Sequence, residues 1–310
     1  MPAPNPLVSV IIPYYNRPEK LERCIMSVKQ QTFTAVEIIV VDDASSIPPS
    51  IYHNDIIYEK NKENGGPGVS RTKGMAIAHG TFFAFLDCDD YWAPQFLEKM
   101  ILLLQENQEV VMAYSNVYLV NEEAETVGIR RKKERVVHQI LPEILVRGRA
   151  WCTSSCVWRA SVIHQVSWLS TRIWEDYAFD VDVALKNNNV IGTKEKYVYY
   201  DASGDDKLSG VVDDATILEK SKSLQYVSKL LQKNFSKRDK KISGAIRKHL
   251  LNQLIQLLGM KNKAPLVIKE NEAALRYWGG PLIGGYIQFT SLLNLKLRVA
   301  LLRKIRRKLF

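Results

Sequence analysis

The sequence is poor in cysteine and lacks the features of several protein classes. Its four cysteines, in 310 residues, include no paired Cys-x-x-Cys motifs. Such pairs are typical of structural zinc sites, so zinc ribbons and zinc fingers are excluded. Cys152 and Cys156 are near neighbours in sequence, but we expect all four to be separate thiols in a reducing compartment. The chain opens without a basic segment followed by an apolar one, so we expect no cleaved secretion signal.

A long apolar run is also missing. Residues 277–295 carry no charged side chain over 19 residues, but they include four glycines, one proline and several polar residues. This segment is long enough to cross a bilayer, yet it is too polar for us to expect that it does. We therefore expect peripheral attachment at most.

Acidic residues are scarce in the last third of the chain. Residues 217–310 hold 21 Lys or Arg against 4 Asp or Glu, a balance of +17, whereas residues 1–216 have a balance of −7. Residues 295–310 combine seven Lys or Arg with apolar residues at helical spacing. This pattern predicts a basic amphipathic helix on an anionic membrane surface. The alternative is a helix packed on the protein with a solvated basic face. We expect no nucleic-acid partner, since no nucleic-acid-binding fold is recognisable.

Known phosphate-binding motifs are absent as well. Residues 68–74 do not end in the Gly-Lys-Ser/Thr of a P-loop, and residues 66–68 lack the third glycine of a dinucleotide fingerprint. A P-loop nucleotidase and a simple dinucleotide-dependent oxidoreductase are therefore not supported.

Apolar strands alternate with helical patterns along the first 110 residues. Strands are predicted at 7–12, 36–41, 55–58 and 82–86, and helices at 18–31, 69–79 (closed by Gly80) and 94–106. Because these strands are largely apolar, we expect an α/β fold with a mostly parallel sheet flanked by helices. Beyond residue 110 we predict strands at 111–120 and 190–200, helices at 140–146, 160–166 and 175–187, and one or two helices over 216–258.

Two acid clusters each follow a predicted strand. Asp87, Asp89 and Asp90 end the strand at 82–86, and Asp42 and Asp43 end the strand at 36–41. Carboxylates this close raise each other's pKa, because holding their negative charges together costs free energy. A bound cation such as Mg²⁺ or Mn²⁺ lowers that cost. Parallel strands end at one edge of a sheet, so a crevice for a nucleoside diphosphate is predicted there. The alternatives are a solvated acidic turn and a local capping role for the aspartates.

Five motifs lie in order at residues 8–17, 40–45, 64–74, 85–90 and 174–176. In this order and spacing they resemble the family 2 glycosyltransferases, whose fold is GT-A. The resemblance covers roughly residues 7–200 and implies a glycosyltransferase domain at 1–214, with a nucleotide-sugar half (1–110) and an acceptor half (111–214). Residues 215–310 would be a basic helical extension. Thr72 departs from the family, which often has asparagine after the arginine at this point.

The resemblance also implies roles for individual residues. Residues that would bind the donor are Pro13, Tyr15, Asp42, Asp43, Arg71, Asp87 and Asp89. Asp89, supported by Asp87, would hold Mn²⁺ or Mg²⁺ against the diphosphate. Arg71 would lie near the base or the diphosphate.

Catalysis would depend on the acid pair at 175–176. Asp176 would be the general base that deprotonates the acceptor hydroxyl in a single inverting displacement, with Glu175 as the second candidate. Without the resemblance, acids at a helix start need no function, because they interact favourably with the helix dipole. Trp174 and Trp151 would either stack on sugar rings or pack in the core.

The implied activity is transfer of a hexose from a UDP-sugar, with UDP-glucose or UDP-galactose favoured. The acceptor would be a lipid-linked saccharide, such as an undecaprenyl-diphosphate intermediate of O-antigen or capsule synthesis, at the cytoplasmic face of the inner membrane. Residues 201–214 are predicted to form a lid over the donor. Alternatives are a sugar-nucleotide-binding regulator without turnover and a tethering protein with the α/β body as scaffold. A nucleotidyltransferase is less well supported, since the first strand is followed by no basic triphosphate loop.

Overall fold

The computed structural model describes residues 8–49, 55–121, 124–129, 135–203 and 213–309. Its strands are β1 (Val8–Tyr14), β2 (Val36–Asp42), β3 (Ile56–Lys60), β4 (Phe82–Phe85), β5 (Tyr91–Trp92), β6 (Met112–Val120), β7 (Thr126–Ile129), β8 (Cys156–Arg159) and β9 (Val190–Asp201). Its α-helices are α1 (Pro18–Lys29), α2 (Pro67–Ile77), α3 (Phe96–Glu106), α4 (Glu143–Arg147), α5 (Ala160–Ile163), α6 (Glu175–Ala184), α7 (Asp214–Asn234), α8 (Lys240–Gly259), α9 (Pro265–Ser291) and α10 (Leu295–Leu309). Most of the predicted lid at 201–214 lies outside the described residues.

The nine strands of the described residues form one sheet with the order β3-β2-β1-β4-β8-β6-β9-β5, and β7 pairs with β6. The predicted parallel arrangement holds for β3, β2, β1 and β4. From β8 onward the sheet is mixed, since β8 is antiparallel to both β4 and β6 while β6 and β9 are parallel. Antiparallel strands need no helical crossover, which explains why the regular strand–helix alternation stops near residue 110.

Both faces of the central strand β1 are covered. Val10 and Ile12 belong to the same buried cluster as Ile25 of α1. Ile11 points to the other face, where a Cβ on Gly74 of α2 would lie 2.4 Å from its Cγ2. Helices therefore pack on both faces of this part of the sheet, as the continuous apolar strand predicts.

Some helix boundaries differ from the predicted ones. Helix α2 begins at Pro67, because proline is well suited to the first helical turn. It ends at Ile77 and Ala78 is extended, so the prediction that Gly80 caps this helix is wrong. Gly80 is required for another reason: a Cβ there would lie 2.6 Å from the backbone nitrogen of Ser9.

The chain divides into two compact units. The first contains residues 1–141, 149–170 and 183–205, and the second contains residues 142–148, 171–182 and 206–310. The sheet belongs to the first unit and helices α7 to α10 to the second. The predicted domain boundary after residue 214 stays a prediction; two short segments from before that boundary group with the C-terminal helices.

The apolar stripe of the basic helix α10 packs within the second unit. Leu302 is fully buried, and it lines an apolar cavity together with Ile305 and residues of α8 and α9. Leu302 and Ile305 thus fit the alternative of a helix packed on the protein, and attachment of α10 to a membrane stays a prediction. Among the helices in the described part of the chain, none has the length and apolar character needed to cross a bilayer.

Asp201 at the end of β9 forms a buried ionic cluster in the first unit. Its Oδ2 lies 3.0 Å from Lys20 Nζ and 3.2 Å from an Nη of Arg23, both on α1. Burial by itself would raise the pKa of Asp201, but hydrogen bonds from Ser203 and the charge of Lys20 lower it below its ordinary value. The carboxylate therefore stabilises the fold only while it is ionised.

Replacing Asp201 should give a stability loss that depends on pH. We expect Asp201→Asn to lower the free energy of unfolding by about 2 kcal/mol at pH 7, since two cations lose their anion. The difference from wild type should shrink as the pH falls below about 4, where the native carboxylate also takes up its proton. Urea unfolding at a series of pH values measures this. Asp55→Asn is the control, because the Asp55–Lys29 pair is exposed. If the difference in free energy of unfolding between wild type and Asp201→Asn stayed constant with pH, the ionic role of Asp201 would be contradicted.

Candidate functional site

Strands β2, β1 and β4 end next to one another at one edge of the sheet in the first unit. Tyr14 of β1 is in register with Asp42 of β2, and the backbone nitrogen of Leu86, just after β4, donates to Ile11 O. The two predicted acid clusters therefore follow neighbouring strand ends, as the parallel arrangement requires. Pro13 is buried in β1, whereas the Tyr15 side chain is 47% exposed beyond the strand end.

Asp42 is fully buried at the end of β2. Its Oδ1 accepts a hydrogen bond from the Ser45 backbone nitrogen at 2.7 Å, and its Oδ2 accepts one from the Tyr58 hydroxyl at 2.6 Å. Burial alone would raise the pKa of Asp42, but these hydrogen bonds and the nearby Lys60 lower it. Its carboxylate is thus a stable anion that holds the loop after β2 and Tyr58 of β3.

Asp43 holds the glycine-rich loop. Its Oδ1 accepts from Asn61 Nδ2 and from the Gly65 backbone nitrogen, each at 2.9 Å, and its Oδ2 accepts from the Gly66 backbone nitrogen at 2.7 Å. Gly66 has a φ of 85°, a left-handed conformation that glycine adopts without strain. The buried Asp43 side chain therefore positions the start of α2.

Gly68, in the first turn of α2, leaves no room for a side chain. A Cβ there would lie 2.1 Å from the backbone oxygen of Leu169. We expect Gly68→Ala to destabilise the protein by about 2 kcal/mol, because rigid backbone must move. Thermal unfolding measures this. The control is Gly244→Ala inside α8, where the nearest atom is 3.8 Å away and alanine favours the helix. Equal melting temperatures for Gly68→Ala and wild type would show that the loop accommodates the methyl group.

Arg71 of α2 forms a salt bridge with Asp87, which follows β4. An Arg71 Nη lies 2.6 Å from Asp87 Oδ1, and its guanidinium lies over the Trp168 ring, 4.5 Å from the centroid. Arg71 is 3% exposed, whereas the Asp87 side chain is one-third exposed. A buried arginine held by an aromatic face and a carboxylate keeps a fixed orientation, so it presents Asp87 rigidly at the sheet edge.

Asp89 pairs with a different arginine, Arg17. Arg17, which follows β1, has an Nη 2.8 Å from Asp89 Oδ2, and the Asp89 side chain is one-fifth exposed. Burial and the neighbouring charge of Asp87 raise the pKa of Asp89, although Arg17 opposes the shift. Negative charge in this pocket is therefore only partly compensated by protein groups.

Asp90 is separated from these two carboxylates. It is 1% exposed, and its oxygens accept hydrogen bonds from the Ser154 hydroxyl at 2.5 Å and the Asp201 backbone nitrogen at 3.0 Å. Burial, followed by the charges of Asp89 and Asp87, raises its pKa well above the ordinary value. Asp90 therefore connects the loop after β4 to β9, and it is not one of the two acids, Asp87 and Asp89, that the resemblance assigns to the metal.

Asp87 and Asp89 fit a divalent cation with oxygen ligands. Both are partly exposed carboxylates, and each places one oxygen on an arginine while a carboxylate has about four acceptor positions. Within the described residues, no group of three or more His, Cys, Asp or Glu could hold an ion by itself. Two carboxylates suit Mg²⁺ or Mn²⁺, which keep positions for phosphate and water oxygens.

The predicted base segment lies in the second unit. Trp174 has a φ of 62°, unusual for an aromatic residue, and its carbonyl accepts from the Ala178 nitrogen in the first turn of α6. Asp176 is half-buried and its Oδ1 accepts from the Tyr177 nitrogen at 2.7 Å, whereas Glu175 is 7% exposed. Of the two acids, Asp176 is the more accessible to a substrate.

One face of α7 fixes this segment along its length. Ser223 Oγ donates to Ile173 O at 2.8 Å, and the Tyr226 hydroxyl donates to Asp182 Oδ2 at 2.8 Å. Lys220 Nζ lies 4.3 Å from the centroid of the Trp174 ring. Residues 220, 223 and 226 recur at helical spacing, so the helix acts as a rigid support for the strained turn before Asp176.

Several of these contacts had no signal in the sequence. Arg17 and Asp89 are 72 residues apart, and Ser154 Oγ accepts from the Asp87 nitrogen and donates to Asp90, 64 residues away. Trp151, a candidate for sugar stacking, is instead 2% exposed and packs on Tyr114 with ring centroids 5.1 Å apart. The predicted separation of the four cysteines is confirmed, since all are buried free thiols.

Comparison with known proteins identifies the fold and the family. The sequence model described as "Glycosyl transferase family 2" matches residues 9–153. An uncharacterized glycosyltransferase of Methanocaldococcus jannaschii is 38% identical over 127 residues, covering 38% of this chain and 44% of that protein. The Escherichia coli UDP-Glc:alpha-D-GlcNAc-diphosphoundecaprenol beta-1,3-glucosyltransferase WfaP is 36% identical over 118 residues, covering 36% of this chain and 47% of that protein. The chain thus spans about half the length of these curated relatives.

Solved structures resemble nearly the whole chain. TarS of S. aureus has a TM-score of 0.66 at 17% identity, covering 96% of this chain and 52% of that one. The mannosyltransferase PcManGT from Pyrobaculum calidifontis, in complex with GDP-Man and Mn²⁺, has a TM-score of 0.54 at 14% identity, covering 98% and 85%. At such identities the likeness concerns the fold alone, and that fold is the predicted GT-A type with a helical C-terminal region. The match over residues 9–153, just under half of the chain, identifies a family 2 glycosyltransferase domain within it.

Proposed function

We propose that this protein transfers a hexose from a UDP-sugar to a lipid-linked saccharide, with inversion at the anomeric carbon, in surface polysaccharide synthesis. The observation that carries the proposal is the pair of partly exposed carboxylates, Asp87 and Asp89, at the end of β4. Each is held by a separate arginine, Arg71 or Arg17, so the pair is rigid before any ligand binds. A preorganised anionic pair at this edge suits a cation and a nucleoside diphosphate.

Asp89 and Asp87 would hold Mn²⁺ or Mg²⁺, which stabilises the negative charge that develops on the leaving diphosphate. PcManGT is described with Mn²⁺, which supports a divalent ion in this fold. Tyr15 would meet the nucleotide at the end of β1, with Pro13 behind it. Arg71 would orient Asp87 towards the ribose and diphosphate.

Asp42 and Asp43 would contribute to the donor site indirectly, by holding the loops that surround it. Asp42 shapes the wall between β2 and β3, and Asp43 keeps the backbone of residues 64–66 at the start of α2. A helix start of this kind is favourable for phosphate oxygens. Their buried carboxylates thus act on the donor by positioning the backbone around it.

Asp176 is the general base in this proposal. It would accept the proton of the acceptor hydroxyl as that oxygen attacks the anomeric carbon, while the bond to the UDP oxygen breaks. Glu175 is buried beside it and is the second candidate. A single displacement needs no protein nucleophile, and an α-linked donor then gives a β-linked product.

The lipid-linked acceptor is supported by WfaP, whose name describes a diphosphoundecaprenol acceptor and a UDP-glucose donor. TarS has been solved in complex with UDP, which supports a uridine nucleotide in this fold. UDP-glucose and UDP-galactose are the proposed donors. The proposed location is the cytoplasmic face of the inner membrane, with the protein attached peripherally.

The test is release of UDP from a panel of UDP-sugars in the presence of Mn²⁺. Each sugar is offered with and without a diphosphate-linked GlcNAc or GalNAc acceptor on a lipid chain. We expect release from one donor that depends on both the acceptor and the metal, with a product of inverted configuration by NMR. Metal-dependent binding of UDP without release from any sugar, with every acceptor tried, would favour the non-catalytic regulator instead.

A further inference from the structure

The second half of helix α9 presents an apolar surface to solvent. Leu282, Tyr286, Phe289 and Leu292, here called the apolar ridge, are 71%, 46%, 55% and 81% exposed. Their spacing of four, three and three residues places them on one side of the helix. Such a contiguous row is unusual for a soluble surface and indicates an interaction site.

The other side of the same helix is anchored in the second unit. Ile283 and Ile287 are 7% and 1% exposed and line the cavity beside Leu302 of α10. The backbone of Gly280 is non-helical, with a φ of 66° and a ψ of −168°, and Pro281 follows it. Residues 281–291 therefore form a separate helix that is fixed on one face and uncovered on the other.

The charge around the apolar ridge points to the nature of its partner. Residues 273–310 contain eight Lys or Arg and no Asp or Glu. Lys296, Arg303, Lys304 and Arg307 are exposed on α10, which packs against α9. A second copy of the chain would bring the same positive charge and be repelled. An anionic lipid surface complements both the charge and the apolar residues.

We infer that the apolar ridge inserts into the interfacial layer of an anionic lipid membrane while the basic residues of α10 bind its headgroups. The inserted surface is thus the ridge on α9, and the buried part of the α10 stripe, at Leu302 and Ile305, packs against α9 from inside the unit. Leu295 and Leu297, 43% and 52% exposed at the start of α10, extend the apolar surface. This inference deepens the proposed function by naming the surface that meets the membrane of the acceptor.

Vesicle co-sedimentation of the full chain tests this inference. The ridge variant is Leu282→Ser/Phe289→Ser/Leu292→Ser, and the matched control is Leu102→Ser/Val146→Ser/Leu266→Ser, which removes three exposed apolar side chains elsewhere. On vesicles of 70% phosphatidylcholine and 30% phosphatidylglycerol, we expect the ridge variant to bind at least about tenfold more weakly than wild type. The matched control should stay within about twofold of wild type.

A variant with fewer positive charges separates the electrostatic contribution to vesicle binding from the apolar one. Arg303→Gln/Lys304→Gln/Arg307→Gln should bind the mixed vesicles about as weakly as wild type binds pure phosphatidylcholine. A ridge variant that binds like wild type would overturn the inference. So would a wild-type dimer, by light scattering, that ignores vesicles and becomes a monomer in the ridge variant.

Failure of this inference can be told apart from failure of the proposed function. Vesicle binding requires neither donor nor acceptor, so it is measured independently of sugar transfer. With a short-chain, water-soluble acceptor, the ridge variant should release UDP at the wild-type rate. If the wild type transfers no sugar yet binds anionic vesicles through the ridge, the membrane surface stands and the proposed reaction falls.

Discussion

Asp89→Asn should abolish most of the metal-dependent transfer while leaving the protein at least as stable. The substitution removes one negative charge from the proposed cation site and keeps the shape of the side chain and an acceptor for Arg17. Loss of a preorganised electrostatic group of this kind lowers kcat by about 100-fold or more. Affinity for Mn²⁺ in the presence of UDP should fall in parallel, measured by calorimetry.

The stability part of this prediction follows from the charges. Asp89 is partly buried next to Asp87, and both effects raise its pKa against the opposing charge of Arg17, so the ionised group is a cost to the folded state. We expect the melting temperature of Asp89→Asn at pH 7 to equal or exceed that of wild type. Asp55→Asn, an exposed aspartate in the same unit, should keep both activity and stability. Full activity of Asp89→Asn with an unchanged metal requirement would remove Asp89 from the proposed site.

Asp176→Asn should give the second large effect, and it should be confined to the chemical step. An amide cannot accept the acceptor's proton, so we expect kcat to fall by about 10²- to 10⁴-fold. The KM for the UDP-sugar and the affinity for UDP with Mn²⁺ should remain within about threefold of wild type, because the donor is held by other residues. Steady-state kinetics and UDP titration measure the two quantities separately.

Glu175→Gln decides between the two acids. Glu175 is buried and Asp176 is half-buried, so we expect the larger kcat effect at Asp176. Asp239→Asn is the matched control in the same unit, since it caps α8 and asparagine caps a helix equally well. A full loss of kcat in Glu175→Gln with an active Asp176→Asn would reverse the assignment. Equal loss of donor affinity in both would indicate a structural role for the pair.

The alternation of strands and helices over the first 110 residues could be predicted from the sequence, because hydrophobic periodicity is a local property. The position of the acid clusters was also predictable. Asp42 ends a strand that is apolar apart from Glu37, Asp87 comes shortly after a strand that is apolar throughout, and parallel strands end at a common edge. The five ordered motifs carried the family, and the match over residues 9–153 confirms it.

Only the tertiary structure decided what each acid does. Asp90 looks equivalent to Asp87 and Asp89 in sequence, yet it is buried and connects the loop after β4 to β9, while Asp42 and Asp43 both hold loops. Burial depends on which distant segment covers a side chain, and no local pattern encodes that. The proposed membrane surface lies on α9 and not, as the sequence pattern predicts, on the apolar stripe of α10, for the same reason. Both segments carry apolar residues at helical spacing, and only packing decides which of them is covered.

The amino-acid sequence by itself determined the fold and the acid-lined sheet edge, because periodicity and charge are local. The tertiary structure decided which carboxylates remain accessible and which apolar face stays uncovered, because long-range packing sets both.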